Sequence, residues 1–153
     1  MIDAHLGKRT AVLFINHQID DESLYRYSLI RDAGRGLGYS VYYALDVGNT
    51  AQPRLCPGID FYCFSYDRFK KLFPHVVYNP QRDPYKNCLP MAVFPFRYDH
   101  SGEFDYVWLI EYDVCCLDWT AFFRQYDGNC ADLVTSAPSF KLYAEYPDWW
   151  AYA

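Results

Sequence analysis

Thr10-Ala11-Val12-Leu13-Phe14-Ile15 is an unbroken apolar run, with the polar Asn16-His17-Gln18 directly behind it. Side chains alternate across a strand, so a strand with one wet face reads as alternating apolar and polar residues. A continuous run this short reads instead as a strand buried on both faces, as in a parallel sheet covered by helices. That restricts the chain to an α/β design in which crossover segments return the backbone to the same end of the sheet.

The following residues supply such a crossover. Asp20 and Asp21 can cap a helix, and Glu22 adds negative charge to its first turn, where the helix dipole favours it. Leu24, Tyr27, Ile30 and Ala33, with Tyr25 and Leu29 beside them, form an apolar stripe at helical spacing. Gly34, Gly36 and Gly38 end it. Ser40-Val41-Tyr42-Tyr43-Ala44-Leu45-Asp46 then reads as a second strand, which completes a strand–helix–strand unit. Ile59 to Phe64 reads as a third, shorter strand after a loop rich in Gly and Pro. Between residues 67 and 103 the sequence predicts little regular structure, because Pro74, Pro80, Pro84, Pro90 and Pro95 oppose a long helix. A segment of this kind is expected to cover the carboxyl edge of the sheet or to pack beside it. Tyr106 to Val114 reads as a strand, Trp119 to Tyr126 as a helix, and Ala131 to Thr135 as a further strand. The strands at 10–15 and 106–110 are both expected to be central. The 153 residues suit one domain, 1–153, large enough to bury a core without staples.

Net charge of −5 argues against a nucleic-acid partner, which would favour basic patches. The longest apolar run falls well short of the ~20 residues needed for a membrane span. The six cysteines include no C-x-x-C pair, so they read as free thiols rather than as a zinc site. With no signal peptide at the N-terminus, they imply a reducing, cytoplasmic location. A G-x-G-x-x-G fingerprint, a Walker A sequence, G-x-S-x-G and H-E-x-x-H are all absent. A phosphate-accepting receiver domain fits poorly, because Asp20 and Asp21 lie inside a helix cap rather than at a strand end.

The chemistry-bearing segment is Tyr106-Val107-Trp108-Leu109-Ile110-Glu111-Tyr112-Asp113-Val114, an apolar strand that turns acidic at its carboxyl end. Strand alternation places Glu111 and Asp113 on one face and Tyr112 on the other. Ligands of open α/β sheets bind at the carboxyl ends of the strands. Two carboxylates there can hold one hard divalent cation, Mn or Mg, through oxygen.

The stretch Trp108-Leu109-Ile110-Glu111-Tyr112-Asp113-Val114, followed by Trp119, Phe122 and Phe123 and then by Ala131-Asp132-Leu133, resembles a GT-A glycosyltransferase family. In that family a strand of this form carries the acidic motif equivalent to D-x-D. The opening strand–helix–strand is similar too, though many α/β proteins share it. The resemblance implies a Rossmann-like GT-A fold and the transfer of a sugar from a nucleotide-diphospho-sugar donor to a glycan or other acceptor. It implies that Glu111 and Asp113 hold the metal and the donor diphosphate. It also places Asn16 and Asp46, at the ends of the first two strands, among the nucleotide-facing residues. It assigns no catalytic residue. The sequence departs from the family in having E-x-D, and in having Cys115-Cys116-Leu117-Asp118 where a small polar turn is usual. GT-A domains also continue well past the A-D-L strand, where about twenty residues remain here. A nucleotide- or sugar-binding remnant without catalysis is the alternative reading.

Overall fold

A computed structural model of the chain describes residues 8–48, 56–76 and 88–127. Eight elements follow in order: β1 (Thr10–Asn16), α1 (Asp21–Arg35), β2 (Ser40–Asp46), β3 (Phe61–Phe64), α2 (Tyr66–Leu72), α3 (Cys88–Asp99), β4 (Tyr106–Glu111) and α4 (Trp119–Tyr126). The four strands form one sheet in the order β3-β2-β1-β4, and every pairing is parallel. The chain is therefore α/β with a Rossmann-like arrangement: β1, β2 and β3 advance in one direction, and β4 returns to the far side of β1. The expected strand at 131–135 and the Trp149-Trp150 tail lie outside the described residues.

Every residue of β1 is buried, as its continuous apolar run demands. The sheet has a core on each face. Val12, Phe14, Val41, Tyr43 and Ile110 pack with Tyr27, Ile30 and Ala33 of α1 and with Trp119 and Phe123 of α4. Ala11, Leu13, Ile15, Ala44 and Phe64 pack on the other face with Phe69 of α2 and with Met91, Ala92 and Phe96 of α3. α1 starts on a reciprocal cap, in which the Ser23 amide donates to Asp20 Oδ1 at 2.7 Å and the Asp20 amide donates to Ser23 Oγ at 3.0 Å. The bond from the Ser23 amide to the charged carboxylate is the first cause that holds Asp20 below the usual carboxylate range. Of the expected stripe Tyr27, Ile30 and Ala33 are buried and Leu24 is partly so, with Ser23 and Gly34 buried beside them, but Tyr25 and Leu29 are exposed.

Three sequence expectations change here. Gly34 does not end α1 but lies within it. A Cβ there would stand 2.8 Å from Val41 Cγ2, so the glycine is what lets the helix lie close on β2. Gly38, with φ of +80°, takes the left-handed turn that leads into β2. Between residues 67 and 103, most of the described residues belong to α2 and α3, joined to short turns, and these helices cover one face of the sheet. Pro90 falls in the first turn of α3, where its missing N–H has no helical partner to lose. Pro95 sits in the interior, fully buried. It removes the amide that would bond the Met91 carbonyl, a local loss offset by burial of the ring. Arg68 of α2 ties the two helices together with a bond of 2.7 Å to Asp99, which also accepts from the Tyr62 hydroxyl at 2.9 Å.

The third change concerns β4. It ends at Glu111 rather than at Val114, and among the described residues it bonds to β1 alone, with only Ile110 buried. Its pairing stops at Glu111, opposite Ile15. Tyr112 N donates to the Ile15 carbonyl at 3.0 Å, and Val114 N then donates back to the Glu111 carbonyl at 3.1 Å, which closes a turn.

Candidate functional site at the carboxyl end of the sheet

The strand order sets where a ligand can bind. The strand order reverses at β1, with β2 and β3 on one side and β4 on the other. α1 and α4, which follow β1 and β4, pack on the same face of the sheet. The loops after these two strands therefore lie side by side at the carboxyl end, where ligands of open α/β sheets bind. The β1–α1 loop, His17 to Asp20, and the β4–α4 loop, Tyr112 to Asp118, flank this point.

Glu111 closes β4 and is half-buried. In β4, Trp108 and Ile110 pack on the α1 face, whereas Val107 and Leu109 pack on the α3 face. Glu111 shares the phase of the latter pair, as does Ile15, its partner in register. Asp113 is two residues on and exposed. It lies in the turn, so its relation to Glu111 is set by that turn and not by strand alternation. Burial pushes the Glu111 carboxyl up, and the nearby charge of Asp113 pushes it further. A carboxylate that is partly desolvated and faces a like charge is the arrangement that a cation relieves.

Asn16 occupies the α1 face instead. Its side chain is buried and every polar atom is engaged: Nδ2 donates to the Tyr43 hydroxyl at 3.1 Å, while Oδ1 accepts from His17 N at 2.7 Å. The Tyr43 hydroxyl in turn donates to the Gln18 carbonyl at 2.6 Å and stands 2.9 Å from Ser23 Oγ. Asn16 thus shapes the β1–α1 loop from below and does not meet Glu111. Removing the Tyr43 hydroxyl strands the buried Asn16 amide and frees the Gln18 carbonyl. Tyr43→Phe is therefore expected to cost about 1–3 kcal/mol, read from the urea midpoint. A change under a few tenths of a kcal/mol would show that water replaces the hydroxyl.

Asp46 ends β2 and, by alternation from Tyr42 and Ala44, shares the α3 face with Glu111. Its Oδ1 accepts from Gly48 N at 2.9 Å in a local turn. β1 stands between β2 and β4, so the two carboxyl groups rise from strands about 10 Å apart. The structure thus sets Glu111 and Asp113 together, places Asp46 across β1 from them, and turns Asn16 away.

Arg26 is the residue that the sequence did not single out. From α1 its guanidinium donates to the Tyr112 carbonyl and to Cys115 Sγ, both at 3.1 Å, while also holding Glu22 at 2.6 Å. Nothing local in the sequence marks a contact between residues so far apart. His17, in the β1–α1 loop, meets Tyr112 ring to ring.

Among the described residues no group of three or more His, Cys, Asp or Glu side chains is placed to hold a metal ion. A two-carboxylate set still suits Mg or Mn, which keep several waters and complete their shell with substrate phosphates. Among the same residues no helix is long and apolar enough to cross a membrane. Comparison with family models, curated proteins and solved structures finds no significant match to this chain.

Proposed function

We propose that the carboxyl end of β4 binds a nucleoside diphosphate through a divalent cation, in a glycosyltransferase of GT-A type. The observation that carries this reading is Glu111, half-buried at the carboxyl end of β4 with its carboxyl pushed up by burial and by Asp113. In this reading Glu111 and Asp113 hold the cation. When bound, the cation supplies positive charge that neutralises the diphosphate leaving group. Asp46 stands on the same face as a second acidic wall, and Asn16 fixes the loop that borders the nucleotide. The N-terminus of α1, where many Rossmann-like proteins seat a phosphate, carries Asp20, Asp21 and Glu22. That acidic turn repels phosphate and favours the β4 side, where a cation bridges the charges. The acidic motif and the residues around it add the resemblance to the GT-A family.

The test is a thermal-shift panel of nucleoside diphosphates with and without manganese. The midpoint should rise only when both are present, because the diphosphate and the carboxylates share the ion. At a hundred times Kd the stabilisation is about 2.7 kcal/mol, a rise of several degrees for a domain of this size. No rise with any nucleoside diphosphate would end the proposal. Release of nucleoside diphosphate from a sugar donor in the presence of acceptors would then separate transfer from binding alone.

A further inference from the structure

Resting on that reading, we infer that the Tyr112 ring, with His17 at its side, is the stacking surface for the nucleobase. Tyr112 lies between the two carboxylates in sequence, and the residue is 44% exposed. An exposed tyrosine is ordinary. What sets this one apart is how firmly its backbone is held. Its N–H donates to the Ile15 carbonyl at the end of β1, and its carbonyl accepts from the Arg26 guanidinium of α1. The peptide groups on both sides are thus pinned to different elements, while the side chain is left partly exposed at the carboxyl end of β4.

The ring then meets His17 of the β1–α1 loop. The centroids are 5.3 Å apart and the planes cross at 83°. Two rings at right angles form a corner. A flat heterocycle can lie against one wall and meet the edge of the other, where the imidazole nitrogens offer a donor and an acceptor. Stacking on an aromatic ring tolerates any base, because every base has a π-face. Fixing an aromatic side chain in advance lowers the ordering cost of binding. The occupant this corner suits is the base of the nucleotide whose phosphates lie toward Glu111 and Asp113.

The experiment compares two probes, uridine diphosphate and inorganic pyrophosphate, each titrated calorimetrically with manganese present. Pyrophosphate reports the carboxylate side alone; uridine diphosphate reports both sides. The parent should bind uridine diphosphate more tightly than pyrophosphate. Tyr112→Ala should weaken uridine diphosphate about tenfold and leave pyrophosphate within twofold. Tyr112→Phe, which keeps the ring, should match the parent. The backbone contacts of Tyr112 survive both substitutions, so the thermal midpoints should stay close to the parent's. If Tyr112→Ala binds uridine diphosphate like the parent, or weakens both probes equally, the stacking role is wrong. If the parent binds pyrophosphate but gains nothing from the nucleoside, the stacking role is wrong while the carboxylate site stands. If the parent binds neither probe, the carboxylate site itself falls and the stacking role falls with it.

Discussion

Phe14→Ala is expected to cost about 3–5 kcal/mol of stability, the usual range for deleting a fully buried phenyl ring. Phe14 has no exposed surface and lies in the middle of β1, the one strand whose every residue is buried. Its ring stands edge-on to Tyr43 at 5.3 Å and tilted against Tyr27 at 6.3 Å, so it joins the sheet to α1. Domains of this kind have about 5–15 kcal/mol to lose. The variant should therefore sit near the edge of folding, with the urea midpoint sharply lowered and the slope unchanged. Leu29→Ala is the matched control. Leu29 was placed beside the apolar stripe of α1, but it is exposed, so its loss should stay within about half a kcal/mol. Equal losses for both residues would mean that the helix meets the sheet by another face.

That contrast shows what the sequence could carry. β1, α1, β2 and α4 are legible because each has a local signature. β1 has an unbroken apolar run, α1 has a capping aspartate and a stripe, and α4 has an aspartate before its aromatic turns. α3 was hidden because proline was read as a veto. Its weight depends on position, slight at Pro90 in the first turn and larger at Pro95, where packing on the sheet compensates. Gly34 was misread for a related reason. Glycine marks helix ends and close approaches alike, and only the presence of Val41 2.8 Å from its missing Cβ distinguishes them.

The site was legible in its chemistry and less so in its geometry. The acidic end of β4 stands out in the sequence, but the strand ends at Glu111 rather than at Val114. Strand length is set by the neighbour, and β1 leaves the ladder at Asn16, whose carboxamide turns the chain by capping His17 N. Asn16 and Glu111 both end strands, yet they belong to opposite faces, a distinction that requires the register of β1 with β4. Arg26 could not be found at all, because its partners Tyr112 and Cys115 come near it only through the fold.

Removing charge from the carboxylate pair should separate binding from stability. Asp113→Asn and Glu111→Gln keep the shapes and each delete one charge. Each is expected to weaken manganese-dependent binding of a nucleoside diphosphate about a hundredfold, the loss of about 2.7 kcal/mol. The stability effect of Glu111→Gln has the opposite sign. Burial first, and Asp113 second, raise the folded-state pKa of Glu111 above its ordinary value. The folded protein therefore holds that proton more readily than the unfolded chain does. By linkage, stability falls as pH rises from the ordinary glutamate range through the raised value, and above it the ionised carboxylate is a standing cost. Glutamine carries no charge at any pH. Glu111→Gln should thus raise the thermal midpoint at neutral pH and lose that advantage as the solution is acidified below the ordinary glutamate range. Binding runs the other way in the parent, weakening as pH falls through the raised value, because the cation must displace the proton. Thermal scans at several pH values, with manganese titrations at each, would check both trends. A Glu111→Gln variant that is less stable than the parent at neutral pH, while binding the ion and nucleotide unchanged, would show that Glu111 serves the fold and not a ligand.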